Sequence, residues 1–116
     1  MPLARGDIVL VPFPFTDLTG RKVRPAVVVS PDPQGADVVI VFISSASATA
    51  LAPTDWALPA SQRDFAQTGL KVSSVFKCGK LLTLHRSLIL RRLGRVSPAI
   101  QRELDARLKR AIGLAS

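Results

Sequence analysis

The sequence contains little of the chemistry on which metal sites and disulfide frameworks depend. Among its 116 residues there is one cysteine, Cys78, one histidine, His85, and no tyrosine. A single cysteine excludes an intramolecular disulfide, and one residue of each kind excludes a zinc site built from cysteine and histidine. A Cys–His catalytic pair is excluded only weakly, because one of each is present. We expect neither a metal nor a cofactor.

Long hydrophobic runs are also missing. The longest lies at residues 38–43, whereas a membrane-spanning helix takes about 20 apolar residues. Residues 1–7 contain no long apolar stretch and no cleavage site, so we expect no secretory signal. The default expectation is a cytoplasmic protein without membrane contact.

Acidic residues are scarce relative to basic ones. The chain has 8 Asp and Glu against 16 Lys and Arg, a net charge of +8, and such a field favours a polyanionic partner. Hydrophobic residues make up 47% of the sequence, which excludes disorder throughout. The length predicts a single domain over residues 1–116.

The first two thirds of the chain read as short strands joined by turns, which is typical of a small antiparallel sheet or barrel. Residues 16–22 contain Gly20 among polar side chains and are predicted to be a loop. The strands are predicted at residues 7–11, 26–30, 38–43, 56–58, 71–76 and 80–85.

The last fifth of the chain reads as a helix. Ser97 is a suitable N-cap and Pro98 a suitable first helical residue, and Gly113 is a fitting end. Apolar residues follow at four-residue intervals and predict one buried stripe; they are Ile100, Leu104, Leu108 and Ile112. Residues 93–96 are predicted to be a linker into this helix.

An ordered set of motifs covers nearly the whole chain. It consists of Gly6-Asp7 before an apolar strand, Arg24-Pro25 before AVVVS, VFISS at 41–45, KLLTL at 80–84, and LGRVS at 93–97 before the helix. In this order the motifs resemble the MazF/PemK family of type II toxin–antitoxin toxins, and residues 6–30 are the most specific part.

The resemblance implies a mainly β fold, an SH3-like (MazF/CcdB-type) antiparallel barrel with a C-terminal helix, acting as a homodimer. It implies a metal-independent, sequence-selective endoribonuclease toxin. Such an enzyme cleaves single-stranded RNA, especially mRNA, to 2′,3′-cyclic phosphate and 5′-hydroxyl ends. It also implies a cognate antitoxin that occupies the RNA groove.

Arg24 is the first candidate for catalysis. A guanidinium matches phosphate oxygens in two places, and Arg24 corresponds to the arginine that the family uses. Ser44 corresponds to the family's strand-end threonine, and its hydroxyl suits a phosphate oxygen or the 2′-hydroxyl; it could equally cap a strand or turn through its own backbone. Ser45 is the alternative if the register slips by one residue. Lys80 is a further candidate RNA contact.

The loop before Arg24 supplies the remaining candidate RNA contacts. Hydroxyls and cations there suit phosphate oxygens, and an aromatic ring suits base stacking. They are Phe15, Thr16, Thr19, Arg21 and Lys22. Without RNA, the same residues read as an ordinary solvated loop.

The general base is not fixed by the sequence. Some relatives carry Glu just after the loop glycine, where this chain has Arg21. Asp17 is the nearest acid but reads better as a turn residue, and His85 reads better as a surface or packed residue although its ordinary pKa suits a base. Cys78-Gly79 replaces a stretch where relatives commonly carry an Asp before the lysine, and Cys78 reads as a small buried hydrophobe.

The absence of the Glu and the Asp that relatives carry leaves two alternative functions open. One is a catalytically weak or inactive RNA-binding module, and the other is a CcdB-like gyrase poison on the same fold. The eight cations between Arg86 and Arg110 could form an RNA track or an antitoxin-docking surface, although a solvated helix face is the commoner outcome for such a run.

Overall fold

The computed structural model describes residues 2–12, 22–31, 35–45 and 51–114. Within them six strands precede a C-terminal helix: β1 (Asp7–Pro12), β2 (Val23–Pro31), β3 (Asp37–Ser45), β4 (Asp55–Leu58), β5 (Ser74–His85), β6 (Arg91–Arg95) and α1 (Pro98–Ala111). Two short 3₁₀ helices lie at Ala66–Thr68 and Arg86–Leu88. No helix in these ranges is long and apolar enough to cross a bilayer.

All six strands form one antiparallel sheet in the order β4-β5-β3-β2-β1-β6. β3 lies between β5 and β2, and five of its apolar residues are buried, as a run that is apolar on both faces predicts. The predicted mainly β fold with a C-terminal helix is therefore confirmed. Among the described residues β4 and β6 do not pair with each other, so the sheet does not close into a full barrel.

Each face of the sheet carries its own apolar cluster. The helix-side cluster includes Val27, Ile43 and Phe76 together with the buried face of α1. The far-side cluster includes Val28, Ile40 and Phe42. Alternation along β2 and β3 produces this division, because neighbouring residues of a strand point to opposite faces.

The helix begins and ends close to where the sequence predicts. The Ser97 hydroxyl accepts a hydrogen bond from the Ile100 backbone N–H at 3.1 Å, and Gly113 adopts a φ of +78° just past the end. Ile100, Leu104 and Leu108 are buried, each worth about 1.5–3 kcal/mol. Ile112 is 57% exposed, so the buried stripe is one residue shorter than predicted.

Two predicted boundaries are wrong. The two strands predicted at residues 71–76 and 80–85 are one strand, because β5 runs from Ser74 to His85 without a break. Its pairing with β3 shifts register opposite residues 41–43. Residues 93–96 are not a linker, since β6 pairs with β1 at the edge of the sheet. Arg91 and Arg92 carry no strand signal of their own, so the pairing is imposed by tertiary structure.

Candidate nucleic-acid interface

The start of β2 and the end of β3 bring Arg24 and Ser44 to the same end of the sheet. The two strands pair with Ala26 opposite Phe42. Carried two residues further, this register sets Arg24 opposite Ser44. Both residues follow the alternation of the far-side cluster, so their side chains leave the same face. The sequence becomes polar where that cluster ends.

A cavity of about 580 Å³ opens at this end of the sheet. Four predicted site residues line it, namely Arg24, Ser44, Ser45 and Lys80. The rest of its lining is Phe42, Ile43, Lys77, Leu81 and Leu82. We call this space the Arg24 cavity. It combines an apolar floor from β3 and β5 with three cations and two hydroxyls, which is the pattern of a small anionic-ligand site.

A second space of about 420 Å³ adjoins the first and shares Arg24, Ile43 and Ser45 with it. Its further lining is Leu10, Pro25, Gly69, Leu70, Lys71, Val72, Ser74, Arg91 and Leu93. We call it the lateral cleft. Leu70 and Leu93 pack against the helix-side cluster, whereas Phe42 and Leu82 of the Arg24 cavity belong to the far side. The two spaces thus lie on either side of one sheet end.

Lys77 is held in place on the wall of the Arg24 cavity. Its Nζ lies 3.4 Å from Oδ2 of Asp55, whose side chain is only 8% exposed. The same oxygen of Asp55 accepts a hydrogen bond from the Ala52 backbone N–H at 3.0 Å. Because this second contact fixes the carboxylate of Asp55, the ion pair holds the ammonium of Lys77 at the wall of the cavity.

The lining of both spaces is electrostatically one-sided. Five cations contribute to it, of which Lys77 is already paired with Asp55, and none of the described lining residues is Asp, Glu or His. An anion about 4 Å from one such cation gains about 4 kcal/mol at an effective dielectric constant of 20. This end of the sheet is therefore an attractive surface for a phosphate chain.

Of the predicted loop contacts, the structure describes Lys22. Lys22 is exposed directly before β2 and lines neither space. Phe15, Thr16, Thr19 and Arg21 lie outside the described residues, as does Asp17.

The alternative base His85 lies at the far end of β5, opposite Asp37. Its Nδ1 accepts a hydrogen bond from the Ser87 backbone N–H at 3.1 Å and so caps the 3₁₀ helix at 86–88. It lines neither the Arg24 cavity nor the lateral cleft. The geometry gives His85 a capping role at a distance from Arg24.

Cys78 is an interior residue, and Trp56 is partly buried against the helix-side cluster. Cys78 is buried in the helix-side cluster, and this burial raises the pKa of its thiol to about 11. Trp56 packs against Phe76 with ring centroids 5.9 Å apart. Neither lines the Arg24 cavity. The interpretation of Cys78 as a small buried hydrophobe is confirmed.

Lys71 and Lys77 line these spaces but were not among the predicted contacts, and Arg91 was named only as one of the eight cations between residues 86 and 110. Lys77 alternates with two buried residues inside β5, and a lone charge in such a strand normally faces solvent. Arg91 belongs to a strand that the sequence does not reveal. The clustering of cations becomes visible only once β3, β5 and β6 are assembled.

The sequence model of the PemK-like, MazF-like toxins of type II toxin–antitoxin systems matches residues 4–112. No curated protein matches the chain. Among solved structures, an endoribonuclease in complex with its cognate antitoxin from mycobacterial species is 26% identical, with a TM-score of 0.73 over 100% of this chain and 99% of that one.

Two further structures are similar. An endoribonuclease from mycobacterial species is 25% identical, with a TM-score of 0.71 over 99% of this chain and 94% of that one. A MazE–MazF structure from Deinococcus radiodurans is 22% identical, with a TM-score of 0.71 over 96% of each chain. The last likeness concerns the fold alone.

Proposed function

The chain belongs to the PemK-like, MazF-like toxins of type II toxin–antitoxin systems, and we propose that it is a metal-independent endoribonuclease that cuts single-stranded RNA, chiefly mRNA, at short sequences. One observation carries the proposal. Arg24 and Ser44 line the same cavity, in a setting of cations and hydroxyls. The similarity to two mycobacterial endoribonucleases supports it.

The proposed reaction uses the RNA's own 2′-hydroxyl as the nucleophile. Its oxygen attacks the adjacent phosphorus and loses its proton, and the bond from phosphorus to the 5′ oxygen breaks. The leaving oxygen gains a proton, so the products are a 2′,3′-cyclic phosphate and a 5′-hydroxyl. Negative charge builds on the non-bridging oxygens in between, and stabilising that charge is the main task of the site.

Arg24 suits that task. Two parallel N–H donors of a guanidinium can engage two phosphate oxygens, and the charge persists at any working pH. Donation of a proton to the leaving oxygen is a further role that the family resemblance implies for Arg24. The hydroxyl of Ser44 donates to a phosphate oxygen or orients the 2′-hydroxyl, while Lys77 and Lys80 hold neighbouring phosphates.

The described lining of the Arg24 cavity contains no Asp, Glu or His to accept the proton of the 2′-hydroxyl. The proposal therefore assigns the described residues to binding and charge stabilisation. Asp17, the one acid of the preceding loop, lies outside the described residues.

The partners follow from the same site. A cognate antitoxin with an acidic segment would compete with RNA for the cations around Arg24, and one similar endoribonuclease was solved with its antitoxin. We also propose a homodimer, as the family resemblance implies. The substrate mRNA is cytoplasmic, so the proposal places the protein there.

The decisive experiment is cleavage of single-stranded RNA in EDTA by the purified chain, with the new ends identified by mass spectrometry. We expect 2′,3′-cyclic phosphate and 5′-hydroxyl termini. Arg24→Ala should slow cleavage by roughly 10² to 10³, the scale for losing one transition-state donor. Arg102→Ala, which removes an exposed cation of α1 that lines neither space, is the matched control and should cut at the normal rate.

Three outcomes would contradict the proposal. RNA of varied sequence that stays intact at high protein concentration would show that the chain is not an endoribonuclease. Tight RNA binding without cleavage would indicate the inactive binding module instead. Normal turnover in Arg24→Ala, with an unchanged unfolding midpoint, would remove Arg24 from the reacting centre.

A further inference from the structure

The lateral cleft lies directly beside the proposed reaction centre, and close packing holds its walls in place. Its outer wall is the segment that follows the 3₁₀ helix at Ala66–Thr68. Gly69 ends that helix with a φ of +75°, and a Cβ built on it would overlap the backbone carbonyl of Leu93. A Cβ on Gly94 would likewise overlap the backbone of Gln67 and Thr68. Two glycines therefore allow this segment to pack directly on β6.

Thr68 fixes the same segment from inside. Its side chain is fully buried. Its hydroxyl donates to the Phe65 carbonyl at 2.6 Å and accepts from the Leu70 backbone N–H at 3.2 Å. The chain is thereby turned so that residues 70–72 line the cleft. A wall held by buried contacts of this kind exists before any ligand arrives.

The charges of the cleft point to phosphate. Lys71 and Arg91 line it together with Arg24, and within the described part of the chain neither Lys71 nor Arg91 is ion-paired. Both are exposed, so they can meet a ligand without first losing a partner.

Arg91 differs in its position from the other cations between residues 86 and 110. Arg92 and Arg95 lie 3.7 and 3.5 Å from the buried carboxylate of Asp7. Arg107 pairs with Glu103 at 3.0 Å. Of the eight cations between residues 86 and 110, Arg91 alone lines either of the two spaces described here.

We propose that the lateral cleft is a second nucleotide subsite, in which Lys71 and Arg91 bind the RNA backbone on one side of the scissile phosphate at Arg24. The inference rests on the proposed function. Arg24, Ile43 and Ser45 are common to both spaces, so a single strand can pass from one to the other across Arg24. Lys77 and Lys80 then hold the strand on the opposite side. The apolar walls at Leu10 and Leu70 accept the base.

The first test measures binding without cleavage. A fluorescent 2′-O-methyl RNA oligonucleotide lacks the nucleophile, and its anisotropy reports affinity across a range of salt concentrations. Each phosphate contact in a single-stranded complex contributes about −0.7 to the slope of log K against log salt. Lys71→Ala and Arg91→Ala should each make that slope shallower by about 0.7, and the double variant by about 1.4. Arg102→Ala should leave it unchanged, and Lys71→Arg should retain it.

The second test locates the contact along the strand. Nucleotides are removed one at a time from either end of the oligonucleotide. In the wild type, trimming at both ends weakens binding. In the double variant, trimming at one end should lose its effect while trimming at the other end keeps it. With cleavable RNA, the double variant should raise KM and leave kcat nearly unchanged, because neither side chain touches the scissile phosphate.

The outcomes separate the inference from the function on which it rests. A wild-type protein that neither binds nor cuts RNA overturns both. Normal cleavage by the wild type, with an unchanged slope in the folded double variant, overturns the subsite alone. In a third outcome, the double variant keeps the salt dependence of its RNA affinity and loses affinity for an acidic poly-glutamate peptide. That result would assign the cleft to a protein partner and would also overturn the proposal.

Discussion

The packing of the 66–72 segment on β6 can be tested with two glycines that share a backbone conformation. Gly69 and Gly113 have φ values of +75° and +78°. A Cβ on Gly69 would overlap the Leu93 backbone, whereas a Cβ on Gly113 meets nothing within 4 Å. Alanine at either position carries the cost of left-handed backbone, about 1–2 kcal/mol. Only Gly69→Ala adds the cost of forcing an atom into a packed contact, about 1–3 kcal/mol.

We therefore expect Gly69→Ala to lower the free energy of unfolding by about 2–5 kcal/mol and Gly113→Ala by at most about 2 kcal/mol. Gly94→Ala has the overlap without a positive φ, so about 1–3 kcal/mol is expected. Urea unfolding with linear extrapolation measures all three, and each kcal/mol corresponds to about 4 °C in Tm for a domain of this size.

The comparison between the two alanine variants decides the issue. If Gly69→Ala destabilises no more than Gly113→Ala, the segment does not lie against Leu93 as described, and the lateral cleft loses its wall. Gly94→Ala adds a functional readout, because displacement of residues 70–72 should weaken RNA binding while Arg24 is untouched. A Gly94→Ala variant with normal stability would contradict the same packing.

Two further predictions concern single ionisable groups. Burial raises the pKa of Asp105, but hydrogen bonds from Arg5 and Gln101 outweigh it, so its pKa lies below the ordinary 3.8. The ionised form of Asp105 therefore stabilises the fold above pH 3.8. Asp105→Asn should lower the free energy of unfolding by under about 1 kcal/mol at pH 7, because the pair with Arg5 is exposed. This difference from the wild type should vanish as the pH of the unfolding measurement falls below about 3.8, and a difference that grows in acid would contradict the assignment. Burial raises the pKa of Cys78 to about 11. A thiol reagent at pH 8 should therefore label Cys78 only in denaturant. Rapid labelling of the native protein would show that β5 is not packed as described.

The reaction-centre candidates could be predicted from the sequence because the family resemblance assigns them to motifs at the ends of local patterns. Arg24 and Ser44 stand where apolar runs begin and end, and antiparallel pairing of consecutive strands brings such positions together. Their catalytic roles remain proposals. Gly6-Asp7, the opening motif of the resemblance, has a structural explanation: Gly6 has a φ of +96°, and the buried Asp7 accepts a hydrogen bond from the Ala4 N–H at 2.8 Å.

The remaining cations could not be assigned because their positions depend on contacts between distant parts of the chain. Lys77 lines the Arg24 cavity only because β5 pairs with β3, a strand distant from it in the sequence. Lys71 lines the lateral cleft only because Gly69 and Gly94 allow close backbone contact. Neither event leaves a periodic signal in the sequence, since periodicity reports one face of one element.

The position of the site follows from how an apolar sheet face must end. Ala26 and Phe42 pair within the far-side cluster, where an unpaired charge would cost several kcal/mol. Two residues further, at Arg24 and Ser44, solvent is reached and polar groups are tolerated. The last buried pair then supplies a rigid floor immediately beside Arg24 and Ser44, so strand geometry sets the position from which the guanidinium starts.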